Sequence, residues 1–125
     1  MICDNRRKLY TTRVEKFMKR LGEKVLSDTI ELDATFGHSV EPVYFDKRLE
    51  LEYKPIKEGA TWGDAWESAW FSLKGTVPAA WAGKKVVAQL DFNGEGLVFS
   101  GEGVPLQGVT NGSVFVTAGG RDIFP

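Results

Sequence analysis

Apolar residues recur along this chain at two different periods. Val14, Phe17, Met18 and Leu21 fall at i, i+3, i+4 and i+7, which draws one stripe along a helix. Just before them, Thr12-Arg13-Val14-Glu15 fits a capping box, with a hydroxyl and a carboxylate answering free backbone N–H groups. Gly22 then suits the left-handed residue beyond a helix end. About three turns are marginal in isolation, so this helix needs a surface to dock on. Its lysines and arginines occupy the other face and read as solvated charge.

From residue 30 the period falls to two. Ile30, Leu32, Ala34 and Phe36 alternate as a short strand, and Gly37-His38-Ser39 and Glu41-Pro42 read as loops. Leu49, Leu51 and Tyr53 oppose Glu50, Glu52 and Lys54, a strand with one wet face. Pro55 ends that strand or confines it to a sheet edge. Phe71 and Leu73 share one face of the next strand, with Trp70 and Ser72 on the other. Val86, Ala88, Leu90 and Phe92 line a further one, and Asn93-Gly94 is a tight-turn signal. Leu97-Val98-Phe99 and Val114-Phe115-Val116 are strands, with a turn at Gly101-Glu102-Gly103. Turn signals about every ten residues, with no strand–helix–strand alternation, predict a mainly β fold. The class is an antiparallel jelly-roll-type (galactose-binding-like) sandwich with a short N-terminal helix. We divide the chain into a helix and connecting segment, 1–45, and a β-sandwich, 46–125.

Composition adds exclusions. A chain of 125 residues is long enough to bury a core without disulfides. Net charge is -1, so no overall field favours nucleic acid or an anionic membrane. One cysteine, Cys3, permits no internal disulfide and fits a reducing compartment. No apolar leader and no run of membrane-spanning length is present in the sequence, and the expected location is the cytoplasm.

Candidate chemistry is sparse. His38 is the sole histidine and has no sequence partner that makes it a general base. One His and one Cys would leave a zinc site to carboxylates, so no metal site is expected. Glu58, Asp64 and Glu67 cluster around the tryptophans, but acids are common on any soluble surface. Gly94, Gly96, Gly101 and Gly103 carry G-x-G spacing without the helix that a phosphate cradle needs. Trp62, Trp66 and Trp70 recur every four residues. They fit an aromatic helix face, a loop entering a strand, or a platform for stacking on sugar, core packing being the commoner fate of tryptophan. A sugar contact would draw on Trp62, Asp64, Trp66 and Glu67.

The segment W-F-S-L-K-G-T-V-P-A-A-W-A-G-K-K-V-V-A-Q-L-D-F, residues 70–92, resembles the N-terminal β domain of large carbohydrate-active enzymes. With E-G-A-T-W-G-D-A-W-E-S-A-W-F before it and G-E-G-L-V-F-S-G-E-G-V-P-L-Q-G-V after it, it is similar to bacterial and fungal α-mannosidases of glycoside hydrolase family 38. The resemblance covers about the last two-thirds of the chain. It implies a parent that removes terminal α-mannosides with retention, in a separate zinc-dependent catalytic domain. No residue here matches that domain's motifs, so no catalytic residue, metal ligand or cofactor is assigned to this chain. The expected partner is the catalytic domain of the same polypeptide, with carbohydrate as a further ligand. The alternatives are a free-standing carbohydrate-binding module and a structural contact module without a ligand. Gly119-Gly120 followed by Ile123, Phe124 and Pro125 reads as the start of another strand or linker. A continuation is therefore expected, and without it copies would pair through an open sheet edge.

Overall fold

The computed structural model describes residues 2–24, 26–110 and 122–123. The chain separates into two compact units, Met1–Ile30 and Glu31–Pro125. The first carries one helix, α1, over Ile2–Gly22. It begins ten residues before the expected capping box. Residues 2–11 contain no glycine or proline, so nothing stops the helix from running through them. Thr12 therefore lies inside α1, where its Oγ1 donates to the Lys8 carbonyl at 2.9 Å, and Thr11 does the same to Arg7 at 2.9 Å. A hydroxyl inside a continuous helix turns back to the carbonyl four residues earlier, because the N–H groups ahead are already bonded. Gly22 is the last helical residue, and among the described residues the positive-φ glycines are Gly59, Gly83 and Gly103 instead.

The second unit is mainly β and antiparallel in every pairing described. Its strands are β1 (Asp33–Ser39), β2 (Tyr53–Ile56), β3 (Ser68–Lys74), β4 (Ala88–Gln89), β5 (Gly96–Phe99), β6 (Pro105–Val109) and β7 (Asp122–Ile123). The three-stranded sheet has the order β2-β1-β3, and β4-β7 and β5-β6 form two-stranded sheets. This is the layered antiparallel arrangement of a jelly-roll-type domain, and among the described residues no sheet closes into a barrel. The expected strand at 114–116 and the turn at 119–120 lie outside the described residues.

Alternation sorts β3 onto two faces. Phe36 of β1 stands opposite Phe71, and Ala34 opposite Leu73. On that side Phe71 meets three rings: Phe36 at 6.0 Å, Trp62 edge-on at 5.7 Å and Phe92 at 4.7 Å. Leu73 continues the same face toward the two buried apolar side chains among the described residues, Leu90 (8% exposed) and Val109 (3%), with Leu32, Ala88, Phe92 and Val98 around them. On the opposite face Trp70 packs on Phe45 at 5.8 Å and on Phe99 at 5.4 Å. Its Nε1–H donates to the Val43 carbonyl at 2.8 Å. Gly37 stands opposite Trp70 because that face has no room there: a Cβ on it would come within 2.7 Å of Leu51 Cβ.

Three local expectations are corrected. His38 and Ser39 belong to β1, not to a loop, since pairing with β3 runs on to Ser39↔Ser68. Of the period-two run over residues 49–54, only Tyr53 and Lys54 are strand. Phe45–Glu50 forms a 3-10 turn, in which Arg48 donates to the Phe45 carbonyl at 2.7 Å and covers its ring at 3.6 Å. A 3-10 turn sets residues three apart above one another, which brings the guanidinium onto the Phe45 ring. The strand after it contains Pro55 and lies at the sheet edge, where a missing N–H costs least. The strand expected over residues 86–92 is regular only at Ala88–Gln89, although Leu90 and Phe92 still turn inward.

Truncating Phe71 leaves Phe36, Trp62 and Phe92 facing a hole. Phe71→Ala is expected to lower unfolding stability by about 3 kcal/mol, whereas Tyr44→Ala, at an exposed position, stays within about 0.5 kcal/mol. Denaturant unfolding of both variants checks this, and equal stability of the two would contradict the packing described.

Candidate functional site

Residues 62–67 connect the edge strand to β3, and they give the first two of the evenly spaced tryptophans opposite fates. Trp62 is drawn inward. Its Nε1–H donates to the Phe92 carbonyl at 2.8 Å and its ring meets Phe71 edge-on. Asp64 to Glu67 form a tight turn, with the Glu67 N–H reaching the Asp64 carbonyl at 3.2 Å. Trp66 occupies its third position with φ of 71°, where a type II turn ordinarily carries glycine. Its side chain is 98% exposed.

Glu67 holds this turn. One carboxylate oxygen, Oε2, accepts the Asp64 N–H at 2.8 Å and lies 2.7 Å from His38 Nε2 on β1. Gly63 leaves the space: a Cβ there would come within 3.2 Å of Glu67 Oε2 and 3.5 Å of His38 Cδ2. The bond from the Asp64 N–H, then the contact with His38, holds the Glu67 carboxyl below its ordinary pKa, because both favour the charged form. His38, near the end of the central strand β1, thereby ties the turn to the sheet.

The four residues expected at a sugar contact thus separate. Trp66 is open to solvent and Asp64 is exposed beside it. Trp62 and Glu67 are engaged in the packing and in the turn. No sequence signal showed that His38 and Glu67 meet, since 29 residues separate them and the β1–β3 pairing is what joins them. Among the described residues, donors for zinc, the ion implied by the resemblance, do not come together. Among the described residues no group of three His, Cys, Asp or Glu is placed to hold a metal, and the one histidine is already paired with Glu67. No step through a metal is derived for this chain. Among the described residues no helix is long and apolar enough to cross a membrane.

The family model described as "Alpha-mannosidase, jelly roll domain" matches residues 28–119. The chain belongs to this family. Alpha-mannosidase 2C1 of Homo sapiens is 33% identical over 70 residues, covering 56% of this chain and 7% of the human protein. Alpha-mannosidase 2C1 of Mus musculus is 27% identical over 105 residues, 78% of this chain and 10% of the mouse protein. Alpha-mannosidase G of Dictyostelium discoideum is 27% identical over 110 residues, 81% and 10% respectively. The chain therefore spans a tenth or less of the length of these relatives. No solved structure matches it significantly. The aromatic strand β3 and both of its packed faces lie inside the matched span of the jelly roll domain.

Two outcomes follow from the turn geometry. Trp66 makes no buried contact, and an L-residue at positive φ is strained by about 1 kcal/mol. Trp66→Gly is therefore expected to leave the melting temperature unchanged or raise it, and a clear drop would reveal packing that the exposure denies. Glu67 gives a pH dependence of known sign. Its folded carboxyl titrates below its unfolded value, so the stability it lends is complete above the ordinary glutamate range and is lost as pH falls through the depressed value. In His38→Ala its titration, followed by carbonyl NMR, should move only part of the way back, because the Asp64 N–H is the larger influence.

Proposed function

We propose that this jelly roll domain is the non-catalytic N-terminal domain of an α-mannosidase. It shares a polypeptide with a catalytic domain that hydrolyses terminal α-mannosides and supplies its own zinc ligands. The carrying observation is the family match over residues 28–119, which takes in the aromatic strand and the turns on either side. The protein acts in the cytoplasm, in keeping with a single cysteine. Its role is to pack on the catalytic domain.

A second reading rests on Trp66. A fully exposed indole held in a strained turn beside the Asp64 carboxylate offers a stacking face and a hydrogen-bond acceptor to a sugar. Strain retained without a packing return is a reason to look for a ligand. On this reading Trp66 and Asp64 make the contact, while Trp62 and Glu67 support the turn.

Both readings are tested with one set of proteins. The 125-residue chain should release no nitrophenol from p-nitrophenyl α-mannoside, with or without zinc, and the longer polypeptide that contains it should. Metal-dependent turnover by the chain alone would overturn the first reading. Methyl α-mannoside should quench tryptophan fluorescence of the chain, and Trp66→Ala should abolish the effect. An unchanged spectrum would overturn the sugar contact and leave the first reading standing.

A further inference from the structure

Helix α1 carries an apolar stripe with a charge pattern of its own. Tyr10, Val14, Phe17, Met18 and Leu21 are exposed to between 53% (Leu21) and 65% (Met18). Written as heptads, Tyr10 and Phe17 take d while Val14 and Leu21 take a, a narrow seam about 17 Å long. Arg6, Arg13 and Arg20 fall at g along one side of it, and Thr11 and Met18 fall at e on the other. The stripe ends in a shallow groove of about 330 Å³ lined by Phe17, Arg20, Leu21, Glu23 and Lys24.

The charge pattern narrows the occupant. In a parallel pair of copies, g residues face e residues, so the arginines would meet threonine and methionine and gain nothing. In an antiparallel pair, g faces g and arginine meets arginine. A second copy is a poor fit in either direction. A membrane surface wants a broad apolar face, whereas an a/d stripe is the width of a helix-to-helix seam. The curated relatives are about ten times the length covered by this chain, so in such a parent most of the protein lies outside it.

We infer that the α1 stripe is a docking surface for the remainder of the α-mannosidase polypeptide, seated in an apolar groove whose rim beside Arg13 and Arg20 is acidic. This rests on the proposed membership of a longer α-mannosidase. Burying Tyr10, Val14, Phe17 and Leu21 supplies the attraction, and the one-sided arginine rim fixes the register of the helix in its groove.

Hydrogen exchange on the longer polypeptide and on the 125-residue chain tests it. Amides of residues 10–21 should exchange at least ~10-fold more slowly in the longer polypeptide, and Arg13→Glu or Phe17→Asp should remove that protection. Equal exchange in the two proteins overturns the inference. So does sedimentation of the 125-residue chain as a dimer that Phe17→Asp dissociates, which would make a second copy the occupant. Binding of the chain to phosphatidylserine vesicles, lost in the same variant, overturns it in favour of a lipid surface. Hydrolysis of p-nitrophenyl α-mannoside is measured on the same preparations. A longer polypeptide without that activity counts against the parent reading, whereas an active one with an unprotected helix counts against the docking alone.

Discussion

The contact on which the β unit depends is the seat of Phe71 among Phe36, Trp62 and Phe92. It joins three parts of the chain that are distant in sequence: the central strand β1, the connection before β3, and the loop before β5. The Trp62 Nε1–H bond to the Phe92 carbonyl fastens two of those parts directly, so ring packing and a hydrogen bond act at one place. Rings at these separations attract beyond their buried area. Because Trp70 is the next residue along the strand, the same backbone fixes the second cluster, with Phe45 and Phe99, on the other face. One pair of adjacent residues in β3, Trp70 and Phe71, thereby places an aromatic layer on each side of the sheet.

β5 is shaped by the same demand. Val98 reaches the Leu90–Val109 centre while Phe99, its neighbour, reaches Trp70 and Phe45. The register shift between Val98 and Phe99 lies where the strand must serve both clusters. Such irregularities bend a strand and re-aim its side chains. Gly103, with φ of 87°, closes the hairpin just beyond, and its missing Cβ leaves space for the edge of Phe45, whose Cε1 would otherwise lie 2.7 Å away. The turn and the aromatic layer are thus fitted to each other.

What could be read from the sequence is what alternation controls. Phe71 with Leu73, and Ala34 with Phe36, share the face that alternation assigns them, and Pro55 sits on the edge strand. Long-range pairing was not readable in the same way. His38 looked like a loop residue because Gly37 looked like a turn, yet Gly37 is small to admit Leu51 and the strand passes straight through it. The Thr-x-x-Glu pattern at residues 12–15 is satisfied by a helix that begins earlier, since a local motif carries no information about what precedes it. Leu49 and Glu50 belong to an alternating run yet lie in a 3-10 turn, in which Arg48 reaches back to Phe45.

The three evenly spaced tryptophans show how a site can be hidden by a regular spacing. Trp62, Trp66 and Trp70 are equal in type and interval, so periodicity alone treats them as one set. The tight turn at residues 64–67 breaks the set. It reverses the chain between an inward Trp62 and a β3 residue, Trp70, on the far face, and leaves Trp66 at its apex. Glu67 can hold that apex because Oε2 answers the Asp64 N–H and His38 together, and His38 is available because β1 pairs with β3 as far as Ser39. The exposure of Trp66 is therefore a consequence of the sheet register and not of a flexible loop. A turn stabilised on the strand beneath it, with a strained indole at its tip, spends packing energy that Gly or Asn at the same position would conserve. Among the described residues that cost has no return in packing, since Trp66 stays 98% exposed.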